Sequence, residues 1–417
     1  MAKLFPKLVS SLAVLLLLCQ FGYVACQPTL PADEAKALDD LLKKLGWGFH
    51  PNIARSACSS NFEYIKCDCT DENRTVCHVT RLTLPDQDLT GEINAEALAS
   101  LVYLKAIGLS KNQLHGSIPL TLGNLSSLTR LDLSTNFLNG SIPPSLENLS
   151  SLQYLRLSRN FLNGSIPSSL GNLSSLKYLS LSYNKLSSQI PKELSNLSNL
   201  LYMYLDFNEL TSQLPPELGR LGSLGYLGLS SNNLGGKLPE NYANFTGLQW
   251  FSVAGNRLTG QVPSFIADWI KLNRLSLSGN DFEGELPLEP LFNMSNLRYL
   301  FVSDVNSSGL PFPKNANMKK IRYLMIRNCS ISDEIPPYIG DWSRLKYLDL
   351  SFNNLTGGIP DSMKKLNLSK MFLTGNMLNG TVPSWVPDTI EDKADLSYNN
   401  FEIPREGPKK GERKLNM

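Results

Sequence analysis

The side chains able to carry out chemistry are few and unevenly placed. Seven cysteines and three histidines are spread over 417 residues. His50, His78 and His115 sit in unrelated local contexts, and no arrangement of nucleophile, base and orienting group can be read from the chain. No cofactor motif is present, so the sequence points away from an enzyme. Cys58, Cys67, Cys69 and Cys77 cluster near the start, while Cys329 stands alone. Four clustered cysteines allow three pairings. Cys67 and Cys69 are poorly placed to bond each other, and Cys58–Cys67 with Cys69–Cys77 is the favoured pairing. The rival is a metal site of Cys67, Cys69, Cys77 and His78, which lacks two separated CxxC knuckles. A second group of residues is suited to recognition rather than reaction. Tyr154, Tyr178, Tyr202, Tyr226 and Trp250 recur at a step of about 24 residues.

That step belongs to a repeat, and the repeat predicts the elements that position everything else. Successive copies read LxxLxxLxLSxNxLxGxIP. The Asn slot falls at Asn112, Asn136, Asn160, Asn184, Asn208, Asn232, Asn256, Asn280, Asn353, Asn376 and Asn399, with Val305 and Cys329 as substitutes. Counting Gln87, the array has fourteen turns, the signature of a leucine-rich-repeat solenoid. The LxL leucines share one side of a strand. Each strand is expected to join a parallel sheet on a concave face, since one turn alone cannot bury its leucines. The Asn amide then serves the backbone groups that an inward bend leaves unpaired. Cys329 is expected to be buried and unpaired in that slot, a small substitute with a weak S–H donor. Tyr299–Lys320 breaks the pattern and is expected to form a distorted turn or a protruding loop.

The expected organisation is therefore an α/β repeat protein with four parts. Residues 1–26 read as a secretory signal peptide: Lys3 and Lys7, an apolar Leu8–Leu18, then short residues to Cys26. That apolar run is shorter than the roughly 20 residues of a membrane span. Residues 27–78 form a cap, with Leu38, Leu41, Leu42 and Leu45 on one helical face beside the cysteine knot. Residues 79–403 are the repeats, and 404–417 a charged tail. Removing the leader leaves 37 basic and 37 acidic side chains, which gives no pull toward nucleic acid. The expected location is extracellular, in the apoplast or cell wall, or at the plasma membrane in any longer anchored form.

The residue before the first strand leucine is aromatic in eight of thirteen turns. With strands about 4.8 Å apart, the run from Tyr154 to Trp250 would make a stripe of roughly 20 Å. Arg156, Tyr183, Tyr204, Phe207 and Arg274 flank it. Aromatic faces with hydroxyls and guanidiniums suit an extended peptide or a cell-wall oligosaccharide. The same tyrosines could serve only to pack strand on strand; Trp250, Tyr204 and Phe207, which depart from the repeat consensus, weigh toward binding. N-glycosylation sequons occur at Asn73, Asn124, Asn139, Asn148, Asn163, Asn172, Asn196, Asn244, Asn293, Asn306, Asn354, Asn367 and Asn379. Most are offset from the strands, which would leave the middle of the inner face open. A further one, Asn328, is expected at the inner rim and to be poorly occupied.

The GxIP form of the repeat resembles that of plant extracellular leucine-rich-repeat proteins, most of them receptor-like kinase ectodomains. The strings CDCTDENRTVCHVTRLTLPDQDLTG and MKKIRYLMIRNCSISDEIPPYIGDWSRLKYLDLSFNNLTGGIPD resemble the branch that carries a malectin-like domain after the repeats. That resemblance implies a receptor-like binder in cell-surface signalling, with a co-receptor ectodomain as a further partner. It does not carry the kinase: this chain has no Gly-rich phosphate loop, HRD or DFG, and its nearest string is Asp281-Phe282-Glu283. The alternatives are a secreted inhibitor of a cell-wall hydrolase such as polygalacturonase, and a co-receptor-binding scaffold without its own ligand.

Overall fold

Two leucines spaced by one residue make a strand with one apolar side, and that side is where the protein hides them. The computed structural model describes residues 29–48, 58, 63–69, 76–390, 392–402 and 415–416. The expected leader, Asn73, His50 and residues 404–414 and 417 of the tail lie outside these. The chain divides into two units, Met1–Leu162 and Asn163–Met417.

In the first unit, the helix Ala32–Lys44 carries acids in its first turn and lysines in its last, matching the helix dipole. Its Ala37, Leu38, Leu41 and Leu42 are buried. Glu34 is buried with them and accepts hydrogen bonds from the Val79 backbone N–H and His78 Nδ1. A short helix, Ala95–Ser100, packs alongside and is capped by the Asn94 side chain, which accepts from Glu96 N and Ala97 N. Cys58 is bonded to Cys67 and Cys69 to Cys77, with Cα separations of 5.3 and 4.1 Å. Among the described residues no cluster of His, Cys, Asp or Glu is arranged to hold a metal. Strand Ile65–Asp68 pairs antiparallel with His78–Thr83. From there Ala106–Gly108, Arg130–Asp132 and Tyr154–Arg156 follow in parallel, one strand per repeat.

In the second unit ten successive strands, from Tyr178–Ser180 to Lys393–Asp395, are neighbours in sequence order in one parallel sheet. The register is strict: Tyr178, Tyr202, Tyr226, Trp250, Arg274, Tyr299, Tyr323, Tyr347 and Lys370 lie side by side. The leucines between these residues and the ladder slot are fully buried. Single-turn 3-10 helices such as Ser168–Asn172 return the chain, each entered through a proline. They sit close together: a Cβ on Gly171 would lie 2.3 Å from the Glu193 carbonyl oxygen. Short second strands, such as Lys185–Ser188 against Glu209–Leu210, form smaller sheets.

The buried asparagines tie turn to turn. Asn256 donates through Nδ2 to Leu229 O at 3.0 Å and Val253 O at 2.8 Å, while its Oδ1 accepts from Leu234 N at 3.0 Å. Asn112, Asn136, Asn160, Asn208, Asn232, Asn280, Asn353, Asn376 and Asn399 each bond the backbone of their own and the preceding turn in this way. Asn184 donates to Leu181 O. Where Val305 fills the slot, the strands Tyr299–Ser303 and Tyr323–Arg327 lengthen to five residues each and pair along their whole length. The turn stays in register because extra strand hydrogen bonds replace the amide.

Candidate ligand-binding face

The side chains opposite the buried leucines line the open side of each sheet. In the second unit they form an aromatic patch. Tyr178, Tyr202 and Tyr226 stand in a row, with ring centroids 5.5 and then 4.7 Å apart. Tyr204, two residues along from Tyr202, fills the next column at 5.8 Å from Tyr178. Trp250 closes the patch edge-on, 5.6 Å from Tyr204 and 6.0 Å from Tyr226. The Arg274 guanidinium lies 5.4 Å from the Trp250 ring and 5.2 Å from Phe301, held by cation–π attraction from both sides. Burial, then the neighbouring tyrosines and Asp206, push the Tyr204 hydroxyl pKa well above its ordinary value, so it remains a neutral donor. Trp250 Nε1 and Arg274 Nε are buried and have no hydrogen-bond partner.

Tyr183 and Phe207 form a separate column. They occupy the residue before the ladder slot, which is left-handed in every turn: φ is 58° at Tyr183 and 55° at Phe207. Their rings stack at 4.2 Å and both are exposed. Tyr154 and Arg156 belong to the first unit, where Arg156 binds Asp132 at 3.2 Å and Arg130 lies 5.4 Å from the Tyr154 ring.

Asp206 is the residue that sequence reasoning passed over. Its carboxylate accepts from Ser230 N at 2.9 Å and leans over Gly228, where a Cβ would meet it. Burial raises its pKa against the lowering effect of those hydrogen bonds. No described cation forms an ion pair with it. A signal was available: the slot two before the ladder residue reads Ser at 110, 134, 158, 182 and 230, but Asp at 206.

The sequons stand away from these patches. Asn124, Asn148, Asn172, Asn196 and Asn244 end 3-10 turns, and Asn139, Asn163, Asn354 and Asn379 lie on the short second strands. Asn293 caps Leu288–Phe292, Asn306 bridges to Glu283, and Asn367 precedes a sheet strand. All of these, and Asn328, are exposed. Asn328 spends its amide on Asp304 Oδ1 at 2.9 Å.

Comparison with known proteins agrees with this architecture. A "Leucine-rich repeat region" profile matches residues 63–215, and a "Leucine Rich Repeat" profile matches 320–342 and 344–366. The probable LRR receptor-like serine/threonine-protein kinase At1g53430 of Arabidopsis thaliana is 34% identical over 127 residues, covering 27% of this chain and 12% of the relative. A second Arabidopsis thaliana kinase of that description, At1g53420, is 50% identical over 58 residues, 14% of this chain and 6% of the relative. The chain thus aligns with only a small part of these kinases. Among solved structures, the plant peptide hormone receptor RGFR1 in complex with RGF2 superposes with a TM-score of 0.68 at 27% identity, over 78% of this chain and 56% of the receptor. A TDR receptor gives 0.63 at 28%, over 78% and 65%. These matches do not bear on the malectin-like branch. In repeat pattern, sheet and relatives alike, the chain carries leucine-rich repeats and is similar to the ectodomains of plant receptor-like kinases.

Proposed function

We propose that this chain is the ligand-binding part of an extracellular or cell-surface receptor, and that an extended peptide lies across the aromatic face of its second unit. The carrying observation is the pair of buried, unpartnered donors, Trp250 Nε1 and Arg274 Nε, at the edge of the tyrosine patch. A buried donor without a partner costs about 1–3 kcal/mol. Peptide carbonyls or a carboxylate would satisfy both, while the rings supply area at low entropy cost. Solved relatives include the RGFR1–RGF2 and PEPR1–AtPEP1 complexes, which supports a peptide as the ligand class. A co-receptor ectodomain is the second partner of this reading. No helix among the described residues is long and apolar enough to cross a membrane.

The test is a random-peptide display selection on the full chain, followed by titration of the selected peptides. Trp250→Ala should weaken binding about tenfold or more, roughly 1.4 kcal/mol. Its Tm should shift little, because the ring is part-exposed and loses mainly edge contacts. Phe251→Ala, in the core, should cost about 3–5 kcal/mol and depress Tm strongly. Peptides that bind Trp250→Ala as well as the parent would place the ligand elsewhere.

A further inference from the structure

The first unit holds a depression whose chemistry differs from that of the aromatic face. It encloses about 620 Å³. Its floor is the strand Ala106–Gly108, whose solvent-side residues have almost no side chain. The strands on either side carry arginines at the same height: Arg81 and Arg130 both register with Ala106. Two strand spacings separate them, about 10 Å. Two arginines thus flank the alanine and line the depression, Arg130 turned toward the Tyr154 ring, and Arg156 adds a third from the next strand. Asp132 offsets one of these charges, with its Oδ2 at 3.2 Å from Arg156 and 3.8 Å from Arg130. The site keeps a net positive charge.

The rest of the lining says what kind of anion fits. The side chains of Thr83, Ser110 and Gln153 face the cavity and hydrogen-bond to no other described residue. Tyr154 forms one wall, part-exposed. An Asp or Glu side chain of a peptide would offer one carboxylate on a short aliphatic stem. It would fill a small part of the space and leave the hydroxyl and amide groups unused. A sugar acid brings a carboxylate for the arginine fork, hydroxyls for the neutral polar groups and a C–H face for the tyrosine ring. We infer that this depression is a binding site for a short uronate oligosaccharide, separate from the aromatic face of the second unit.

The inference does not depend on the peptide reading, and calorimetry on the full chain at low salt tests it directly. The probes are trigalacturonate, the neutral galactose trimer and a tetra-aspartate peptide. Trigalacturonate should bind, with the neutral trimer about tenfold weaker or worse. Arg81→Gln and Arg130→Gln should each weaken trigalacturonate about tenfold, since each removes a charge-assisted fork. Ala106→Phe should abolish binding while every charge remains. Phe should be tolerated there, because other turns carry Tyr or Trp in the same column; an unchanged Tm for each variant verifies this. Retained binding in Ala106→Phe would reduce the site to a charged surface and overturn the inference. Equal binding of the neutral trimer, or no binding of any probe, would overturn it too. Tighter binding of the aspartate peptide would assign the pocket to an acidic peptide instead.

Discussion

At the scale of single residues, burial decides what a reactive group can do. Cys329 is fully buried, and its thiol lies 3.1 Å from Arg327 O. Burial pushes its pKa up to about 12. At pH 8 about one thiol in ten thousand is then ionised, and an alkylating reagent needs the thiolate. We expect iodoacetamide to label Cys329 only in denaturant, read by mass spectrometry; rapid labelling of the folded protein would refute this. The folded pKa stands above the ordinary value of 9.0. The thiol's contribution to stability is therefore whole below about pH 9 and is lost as pH rises toward 12. Asp206 obeys the same sign rule in an acidic range. Its folded pKa is raised, so burial costs stability once pH exceeds the ordinary carboxylate value. Asp206→Asn keeps an oxygen for Ser230 N and removes the charge. Its Tm at pH 7 should match or exceed the parent's, with the gain shrinking as the pH falls through the carboxylate range. A lower Tm at pH 7 would show that the ionised carboxylate has a partner that outweighs its desolvation.

At the scale of elements, the ladder asparagine sets the cost of each turn. Replacing Asn256 by Ala leaves the buried Leu234 N without its acceptor, while Leu229 O and Val253 O each keep one amide, from Asn232 and Asn280. An unsatisfied buried donor costs about 1–3 kcal/mol, so the loss should be about 1–3 kcal/mol by urea unfolding. A value near zero would mean that water enters the turn. Much of this level was legible in the sequence. The strands follow from LxL, the return turns from IP, and their order from the single period, because each element contacts its sequence neighbours. The Tyr299–Lys320 turn was less legible. A missing ladder amide suggested distortion, and only the longer pairing of Tyr299–Ser303 with Tyr323–Arg327 shows how backbone bonds replace it. The candidate face was legible as a list of aromatic positions. Its working parts were not. Nothing in a one-dimensional pattern shows that Trp250 Nε1 and Arg274 Nε lack partners, or that Ala106 leaves a gap between Arg81 and Arg130.

At the scale of the whole molecule, stability should be the sum of turns plus the bonds between adjacent ones. The ladder makes that testable within the second unit. Asn232 and Asn256 sit in adjacent turns and both donate to Leu229 O, at 3.1 and 3.0 Å. Either substitution alone leaves that carbonyl with one amide; both together leave it with neither. The double variant Asn232→Ala/Asn256→Ala should therefore cost more than the sum of the singles, by about 0.5–3 kcal/mol. Asn376 shares no partner with Asn256: its amide reaches Leu350 O and Leu373 O. Asn256→Ala/Asn376→Ala should add to within about 0.5 kcal/mol. Hydrogen exchange of the leucine amides suits the measurement, because a repeat array can open in parts and a single global transition would average the effect. Strong coupling between the distant pair would show that the second unit unfolds as one block, and nearest-neighbour additivity would then be the wrong account of how its turns hold together.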